Sequence, residues 1–217
     1  IPMNKKTKTI FALSTARGKA ALALIRISGP HSYELIKKIS TNMPKTPNMA
    51  TLNEIKTEMG MAIDQTITTF YKSPKSFTGE DMVEIASHGS NAVIKKIFDI
   101  FSKKKEMCLA TPGEFTRRAF ENNKLDLTQV EAIADLVDAE TEIQRRQAIS
   151  HLSGSFFKSS KKIFNELKGI LANIEAVIDF TDEDLPDDLM TTIKEQIENI
   201  INRINTILEG SSFGISI

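Results

Sequence analysis

The chain has 217 residues, enough for one large domain or two small ones, and its 41% hydrophobic and 26% charged content is ordinary for a globular protein. The formal net charge is zero, which excludes an overall basic field of the kind that marks many nucleic-acid-binding proteins. A single cysteine, Cys108, excludes an intrachain disulfide and suits a reducing compartment. No segment approaches the ~20 apolar residues that span a bilayer. We therefore expect a cytoplasmic protein with no membrane contact.

The first 121 residues predict strands interspersed with two helices. Amphipathic patterns predict helices at 31–39 and 90–102. Runs of β-branched and apolar residues predict the strands, which are expected at 9–15, 21–28, 51–58, 62–71, 82–87 and 107–110. This order indicates an α/β sandwich of about 120 residues, close to the usual size of a domain.

Residues 112–154 predict a junction between this domain and a helical one. Thr128 has the character of a helix N-cap, with Glu131 at the spacing of a capping box. A second capping box is predicted at Thr141 and Gln144. The junction therefore encodes a short helical patch over EFTRRAF (114–120), a turn at 122–123, a helix that begins at Thr128, and the start of a second helix at Thr141.

The remaining residues predict long helices with apolar stripes. One stripe runs through residues 142–178, where Gly154 weakens the helix and marks a candidate kink. A second stripe runs from 189 to 207 and leads to a candidate C-cap at Gly210. Two helices cannot cover their own apolar faces, so an incomplete bundle is expected.

Four segments, taken in chain order, resemble one known family. They are ALIRISGP (23–30), SFTGEDMVEIASHG (76–89), PGEFTRRAFENNKLDLTQVEAIADL (112–136) and AVIDFTDEDLP (176–186). Together they are similar to the tRNA modification GTPase family called MnmE or TrmE, and the similarity runs over nearly the whole chain.

The resemblance implies an α+β fold class and three regions. Residues 3–121 would form an α/β folate-binding and dimerisation domain that resembles the folate fold of the glycine-cleavage T-protein. Residues 122–210 would form the first half of an all-α helical-bundle domain, and 211–217 the first strand of a GTPase domain. The chain contains no G-x-x-x-x-G-K-[ST] phosphate-binding loop. It is therefore expected to be the N-terminal part of a GTP hydrolase and to be inactive on GTP by itself.

The resemblance also implies a function. The whole protein would be a homodimer that joins the flavoprotein MnmG (GidA) in a heterotetramer. Together they would place a (carboxymethyl)aminomethyl group on C5 of the wobble uridine (U34) of certain tRNAs. GTP, K⁺ and Mg²⁺ would bind in the GTPase domain. Two alternatives stay open, namely a folate-dependent aminomethyltransferase and a non-catalytic module that senses folate and dimerises.

Three positions match the family's binding site for 5-formyltetrahydrofolate: Arg26, Glu84 and Lys124. A carboxylate such as Glu84 can accept the paired N–H donors of a pterin, and the two cations suit the carboxylates of the folate tail. His88, at the end of the strand predicted to carry Glu84, is a further candidate for this site. Without the resemblance, the same residues read as an edge-strand arginine and two surface charges. Neither a catalytic residue nor a metal ligand is expected in this chain.

Two stretches depart from the family's pattern. Ser90 and Asn91 stand where a glycine and a proline usually follow the histidine, and the glycine-rich turn is replaced by Ala16–Ala21. Both departures are expected to narrow the folate pocket or to change how two subunits meet. The acidic segment 179–188 lacks the spacing of an EF-hand, and it is interpreted as acids placed before a helix rather than as a metal site.

Overall fold

A computed structural model of the chain describes residues 8–179 and 189–212. The chain divides into two compact units between Leu125 and Asp126. Within the described residues, the first unit combines a sheet with three helices, and the second contains four helices. The chain is therefore α+β, as predicted, with the sheet and the long helices in separate units.

All of the strands and helices predicted for the first unit are present, with ends that differ by a few residues. The helices are α1 (Ser32–Lys37), α2 (Asn91–Ser102) and α3 (Glu114–Glu121). The strands are β1 (Thr9–Leu13), β2 (Ala20–Ser28), β3 (Ala50–Lys56), β4 (Ala62–Tyr71), β5 (Met82–Gly89) and β6 (Met107–Leu109).

The six strands form one mixed sheet in the order β3-β4-β5-β2-β1-β6. Neighbouring strands are antiparallel except for β1 and β6, which are parallel. The chain leaves β2 through Gly29, whose φ is +134°. A Cβ at this position would lie 2.7 Å from the Cα of Thr9, so only glycine fits between the two strands.

One face of the sheet packs against α1 and α2 and forms the core. Alternate residues of the central strands point to this face, among them Ile25 and Ile27 of β2 and Val83 and Ile85 of β5, and all four are fully buried. Phe11 of β1 contacts the rings of two α2 phenylalanines edge to face at 5.1 and 5.2 Å. This core fixes the register of the strands, because a slip by one residue would turn the apolar side chains toward solvent.

The opposite face carries the intervening residues of the same strands, including Arg26 and Glu84. Helix α3 and the segment 72–81 between β4 and β5 lie against one end of this face, since Phe115 and Phe77 both contact Arg26. Helix α3 and segment 72–81 therefore partly cover the polar side chains on this face of the sheet.

The second unit consists of α4 (Leu127–Asp138), α5 (Glu142–Leu152), α6 (Ser155–Asp179) and α7 (Leu189–Ser212). The capping box at Thr141 and Gln144 is confirmed. The predicted box at Thr128 is wrong: α4 begins two residues earlier, with Asp126 as N-cap and Gln129 as its partner. The Asp126 carboxylate accepts both the Gln129 N–H at 2.9 Å and the Thr128 hydroxyl at 2.6 Å, so the charged acceptor replaces the threonine as the cap.

The helix predicted over 142–178 is two helices instead. Gly154 has a φ of +73°, and its N–H donates to the His151 carbonyl at 3.0 Å, which ends α5 before α6 begins. A glycine in the left-handed conformation is the usual terminator of a helix, so Gly154 causes a break rather than a kink.

The helix end predicted at Gly210 is wrong, because this helix is longer than predicted. Helix α7 continues through Gly210 to Ser212, because an isolated glycine costs a helix only about 1 kcal/mol. The strand predicted over 211–217 therefore does not include Ser211 and Ser212, and 213–217 lie outside the described residues. The acidic segment also lies outside them, apart from Asp179 at the end of α6.

The predicted apolar stripes of α6 and α7 meet. Ile170, Ile193 and Ile200 are buried together. The Glu166 carboxylate accepts a hydrogen bond from the Arg203 guanidinium at 2.5 Å, which also links α6 to α7. None of the helices between residues 8 and 179 or between 189 and 212 combines the length and apolar character needed to cross a bilayer.

Candidate functional site

Arg26 and Glu84 form an ion pair on the partly covered face of the sheet. They are register partners on β2 and β5, which are antiparallel neighbours, so their side chains emerge side by side. Nε of Arg26 donates to Oε1 of Glu84 at 2.8 Å, and the charged Nη2 lies 2.8 Å from the same oxygen. The side chains keep 24% and 16% of their surface exposed, so a ligand can reach the pair from solvent.

Tyr71 completes the coordination of the carboxylate. Its hydroxyl donates to Oε2 of Glu84 at 3.2 Å. Burial, followed by the negative charge of Glu84 and the hydrogen bond to it, raises the pKa of Tyr71 above its ordinary value of 10.0. Tyr71 therefore stays protonated near neutral pH and acts as a donor, and Glu84 is oriented from two sides.

Two aromatic rings lie against the Arg26 guanidinium. Its carbon is 5.1 Å from the ring centre of Phe77 and 5.8 Å from that of Phe115, within the range of cation–π contacts. Phe77 comes from segment 72–81 and Phe115 from α3. These contacts hold the planar head of Arg26 and leave an aromatic surface beside a carboxylate.

A buried ion cluster attaches segment 72–81 to α3. Its members are Arg118, Glu114 and Glu80, with 5%, 7% and 21% of the side chain exposed. Arg118 donates to both Glu80 oxygens at 3.1 and 3.2 Å, to Glu114 at 3.2 Å and to the Lys8 carbonyl at 3.1 Å. The cluster therefore fixes the position of the two elements that carry Phe77 and Phe115.

Lys124 also contacts segment 72–81. Its Nζ donates to the Pro74 carbonyl at 3.0 Å. Its stem packs on Gly79, whose φ of +78° favours glycine, and an added Cβ there would lie 3.1 Å from Lys124 Cγ and displace the stem. Arg26 and Lys124, 98 positions apart in the sequence, thus contact one short segment.

His88 is not part of this group. It lies on the same strand as Glu84, but four residues away, or roughly 13 Å along a strand. Its ring Nδ1 is 2.7 Å from Oδ1 of Asp64, and its backbone N–H donates to Oδ2 at 2.8 Å. The imidazole is 68% exposed. Asp64 therefore orients His88 toward solvent at the other end of the sheet face.

Tyr71, Phe77 and Phe115 were not predicted from the sequence. Tyr71 ends a correctly predicted strand, and the two phenylalanines lie in the segments SFTGED and PGEFTRRAF. An aromatic residue inside a polar segment is a sequence signal for a ring with a role in a site. That signal does not show which charged side chain the ring will contact.

The two stretches that depart from the family's pattern both contribute to a cavity elsewhere in the first unit. Ala16, Arg17, Gly18 and Asn91 line a cavity of about 780 Å³ whose walls include none of the predicted folate residues. Across residues 8–179 and 189–212, no group of three His, Cys, Asp or Glu side chains is arranged to hold a metal ion.

Comparison with known proteins agrees with this architecture. A family model of the "GTP-binding protein TrmE N-terminus" matches residues 9–124, more than half of the chain, and a model of the "MnmE helical domain" matches 127–216. Proteins named "tRNA modification GTPase MnmE" from Roseobacter denitrificans and Pelagibacter ubique are each 42% identical, over 203 and 207 residues. These matches cover 94% and 95% of this chain and 47% of each relative.

A third relative of the same name, from Caulobacter vibrioides, is 41% identical over 208 residues, which is 96% of this chain and 46% of the relative. The chain thus spans about half the length of the curated relatives it matches. The family models divide the chain where its structure does, between the sheet-containing unit and the helices. The chain belongs to the MnmE (TrmE) family of tRNA modification GTPases.

Proposed function

We propose that this chain is the folate-binding and dimerising part of a GTPase that modifies C5 of the wobble uridine (U34) of certain tRNAs. The partner in that reaction is the flavoprotein MnmG, and the group added is (carboxymethyl)aminomethyl. The relatives' shared name supports a role in tRNA modification. The observation that carries the folate assignment is the Arg26–Glu84 pair beside Phe77 and Phe115.

The residues suit 5-formyltetrahydrofolate in charge and shape. A pterin ring has adjacent N–H donors, and Glu84 is a carboxylate whose orientation is set by Arg26 and Tyr71. The rings of Phe77 and Phe115 offer flat apolar surface next to it. Lys124 uses one of its three ammonium hydrogens on Pro74, so the others are available to a carboxylate of the ligand.

When bound, the folate supplies a one-carbon unit. The chain's own residues bind and orient it, and they contribute neither the GTP site nor its ions. GTP, K⁺ and Mg²⁺ belong to the GTPase part of the whole protein. Both alternatives, a folate-dependent aminomethyltransferase and a sensing module without chemistry, would use the same pocket but would not alter tRNA.

Mass spectrometry of tRNA nucleosides separates these functions. In a strain that lacks the gene for this protein, we expect the aminomethyl-type group to be missing from wobble uridines and unmodified uridine to accumulate. Restoring the full-length gene should restore the modification. Wobble uridines that are unchanged in the deletion strain would exclude the proposed function and leave the aminomethyltransferase or sensing role.

Dimerisation of the first unit has a candidate surface. Leu52, Ile67, Ala86 and Leu24 are successive register partners across β3, β4, β5 and β2, and they share the sheet face opposite the core. Leu52 is 67% exposed and Ile67 43%. An apolar row on an open sheet face suits a two-fold contact, in which the same patch serves both subunits.

Replacing Ile67 with Asp is expected to convert the dimer into a monomer, because two carboxylates would be buried against apolar surface. Light scattering at micromolar concentration should report about 24.2 kDa for the variant and twice that for the wild type. Met59→Asp is the matched control, since Met59 is 93% exposed in the turn between β3 and β4. A dimeric Ile67→Asp protein, or a monomeric wild type, would contradict this assignment.

A further inference from the structure

The cavity of about 780 Å³ lies at the edge of the first unit, between the β1–β2 turn, α2 and the end of β6. Its volume is within the range of small-ligand sites. Leu13, Phe98 and Leu109 supply apolar surface, and 58% of the Leu109 surface is exposed. A half-buried aromatic ring and an exposed leucine facing one cavity indicate room for an apolar group.

The charged residues of the cavity wall are both cations, Arg17 from the turn and Lys95 from α2. Each is exposed, and neither forms an ion pair with another residue of the described chain. No carboxylate is among the lining residues. Two uncompensated positive charges at an apolar cavity favour a ligand that is anionic and partly apolar.

Asn91 adds a directional polar group. It is the first residue of α2 and lines the same cavity. No hydrogen bond of its side-chain amide occurs within the described residues, so it can both donate and accept. An amide with a free donor and a free acceptor matches the edge of a nucleobase, which presents the two in adjacent positions.

We propose that this cavity binds one unstacked nucleotide of an RNA, and the proposal rests on the tRNA substrate of the proposed function. The base lies against Phe98, Leu13 and Leu109, and Asn91 hydrogen-bonds its edge. Arg17 and Lys95 contact the flanking phosphates. Aromatic side chains and cations are the usual combination for single-stranded RNA, whose bases are free to leave the stack.

The site differs from the folate site in position and chemistry. None of Arg26, Glu84 and Lys124 lines it. Four of its lining residues, Ala16, Arg17, Gly18 and Asn91, belong to the two stretches in which this chain departs from the family's pattern. In this proposal, Arg17 and Asn91 of these stretches contact the RNA.

Fluorescence anisotropy with a 5′-fluorescein-labelled hexauridylate RNA tests the proposal without GTP or folate. We expect the wild-type chain to bind with a dissociation constant of about 1–100 μM at physiological salt. The double variant Arg17→Ala/Lys95→Ala should bind at least tenfold more weakly. The slope of log affinity against log salt concentration should be smaller in magnitude by about 1.4 for this variant. Two phosphate contacts are lost, and each contact on a single strand contributes about 0.7 to that slope.

Lys19→Ala/Lys96→Ala is the matched control. It removes the same charge from the same turn and the same helix, and both residues are exposed and do not line the cavity. Its affinity should stay within about twofold of the wild type. Phe98→Leu, which keeps an apolar side chain but removes the ring, should weaken binding on the order of tenfold. Equal losses in the two double variants, or an unaffected Phe98→Leu, would overturn the proposal.

Competition with unlabelled ligands shows which chemical group the cavity recognises in the labelled RNA. Uridine monophosphate should displace the RNA, whereas inorganic phosphate at the same concentration should not, because the base contributes to binding. 5-Formyltetrahydrofolate should leave the RNA bound. Displacement by the folate would mean that the cavity belongs to the folate site, which overturns this proposal while supporting the proposed function. Failure of the wild type to bind the RNA would overturn this proposal and leave folate binding to be judged by its own titration.

Discussion

Replacing Glu84 with Gln is expected to weaken the binding of 5-formyltetrahydrofolate by roughly ten- to a hundredfold, the effect of losing about 1.5–3 kcal/mol of charge-assisted hydrogen bonding. The carboxylate accepts from Arg26 and Tyr71 and has the remaining lone pairs for pterin donors. A glutamine presents an NH₂ group in place of one oxygen. That group would face a donor, whether it belongs to the pterin, to Arg26 or to Tyr71.

The chain offers a matched control in Glu54→Gln. Glu54 lies on β3 of the same sheet and pairs with Lys56 at 3.0 Å, so the chemical change is identical but is made away from the site. Arg26→Lys should also weaken binding, because lysine keeps the charge but cannot donate from a planar fork or lie flat against Phe77.

Calorimetric titration of the folate into each protein measures these effects. Circular dichroism should show unchanged secondary structure in all three variants, since none of the residues belongs to the apolar core. If the wild type takes up no folate at high micromolar concentration, or if Glu84→Gln binds as the wild type does, the assignment of the site is wrong.

Replacing Arg118 with Met is expected to lower the free energy of unfolding of the first unit by about 3–5 kcal/mol. The substitution keeps the apolar stem but leaves the carboxylates of Glu114 and Glu80 without their cation in a largely buried position. It also removes the donor to the Lys8 carbonyl. The free-energy cost of leaving a buried charge without a partner exceeds the stabilisation that the ion pair itself provides.

Arg117→Met is the control. Arg117 precedes Arg118 on α3, but it is 56% exposed and lies 3.8 Å from Glu114, so its loss should change stability by less than about 0.5 kcal/mol. Both tyrosines, Tyr33 and Tyr71, lie in the first unit and the chain has no tryptophan, so tyrosine fluorescence during urea unfolding reports on that unit alone. Equal midpoints for the two variants would show that the cluster does not stabilise the unit.

The same cluster predicts the response to acid. Burial by itself raises the pKa of Glu114, but the hydrogen bonds from Thr111 and Arg118 outweigh it and hold the pKa below its ordinary value of 4.5. A carboxyl whose pKa is lower in the folded chain stabilises it above the ordinary pKa. This contribution is lost as the pH falls from 4.5 through the folded value. The wild type should therefore lose more stability than Arg118→Met between pH 6 and pH 3, a range chosen to bracket that value.

Local sequence patterns determined where most elements lie and what kind they are. Runs of β-branched and apolar residues located the six strands, and the spacing of Thr141 and Gln144 located the start of α5. Such signals work because hydrogen bonds and side-chain periods within one element depend on neighbours a few residues away. Where two neighbouring residues could each cap a helix, the capping-box spacing does not show which of them does. Asp126 displaced Thr128 as a cap because a carboxylate is the stronger acceptor.

The resemblance of four segments identified Arg26, Glu84 and Lys124 as a group, but only the tertiary structure decided how they are arranged. Arg26 reaches Glu84 across 58 positions because the buried face of β2 and β5 sets their register. Phe77 and Phe115 contact Arg26 because the Arg118 cluster holds segment 72–81 to α3. These contacts depend on long-range packing, which sequence spacing does not encode, and they place the Arg26–Glu84 pair beside two aromatic rings.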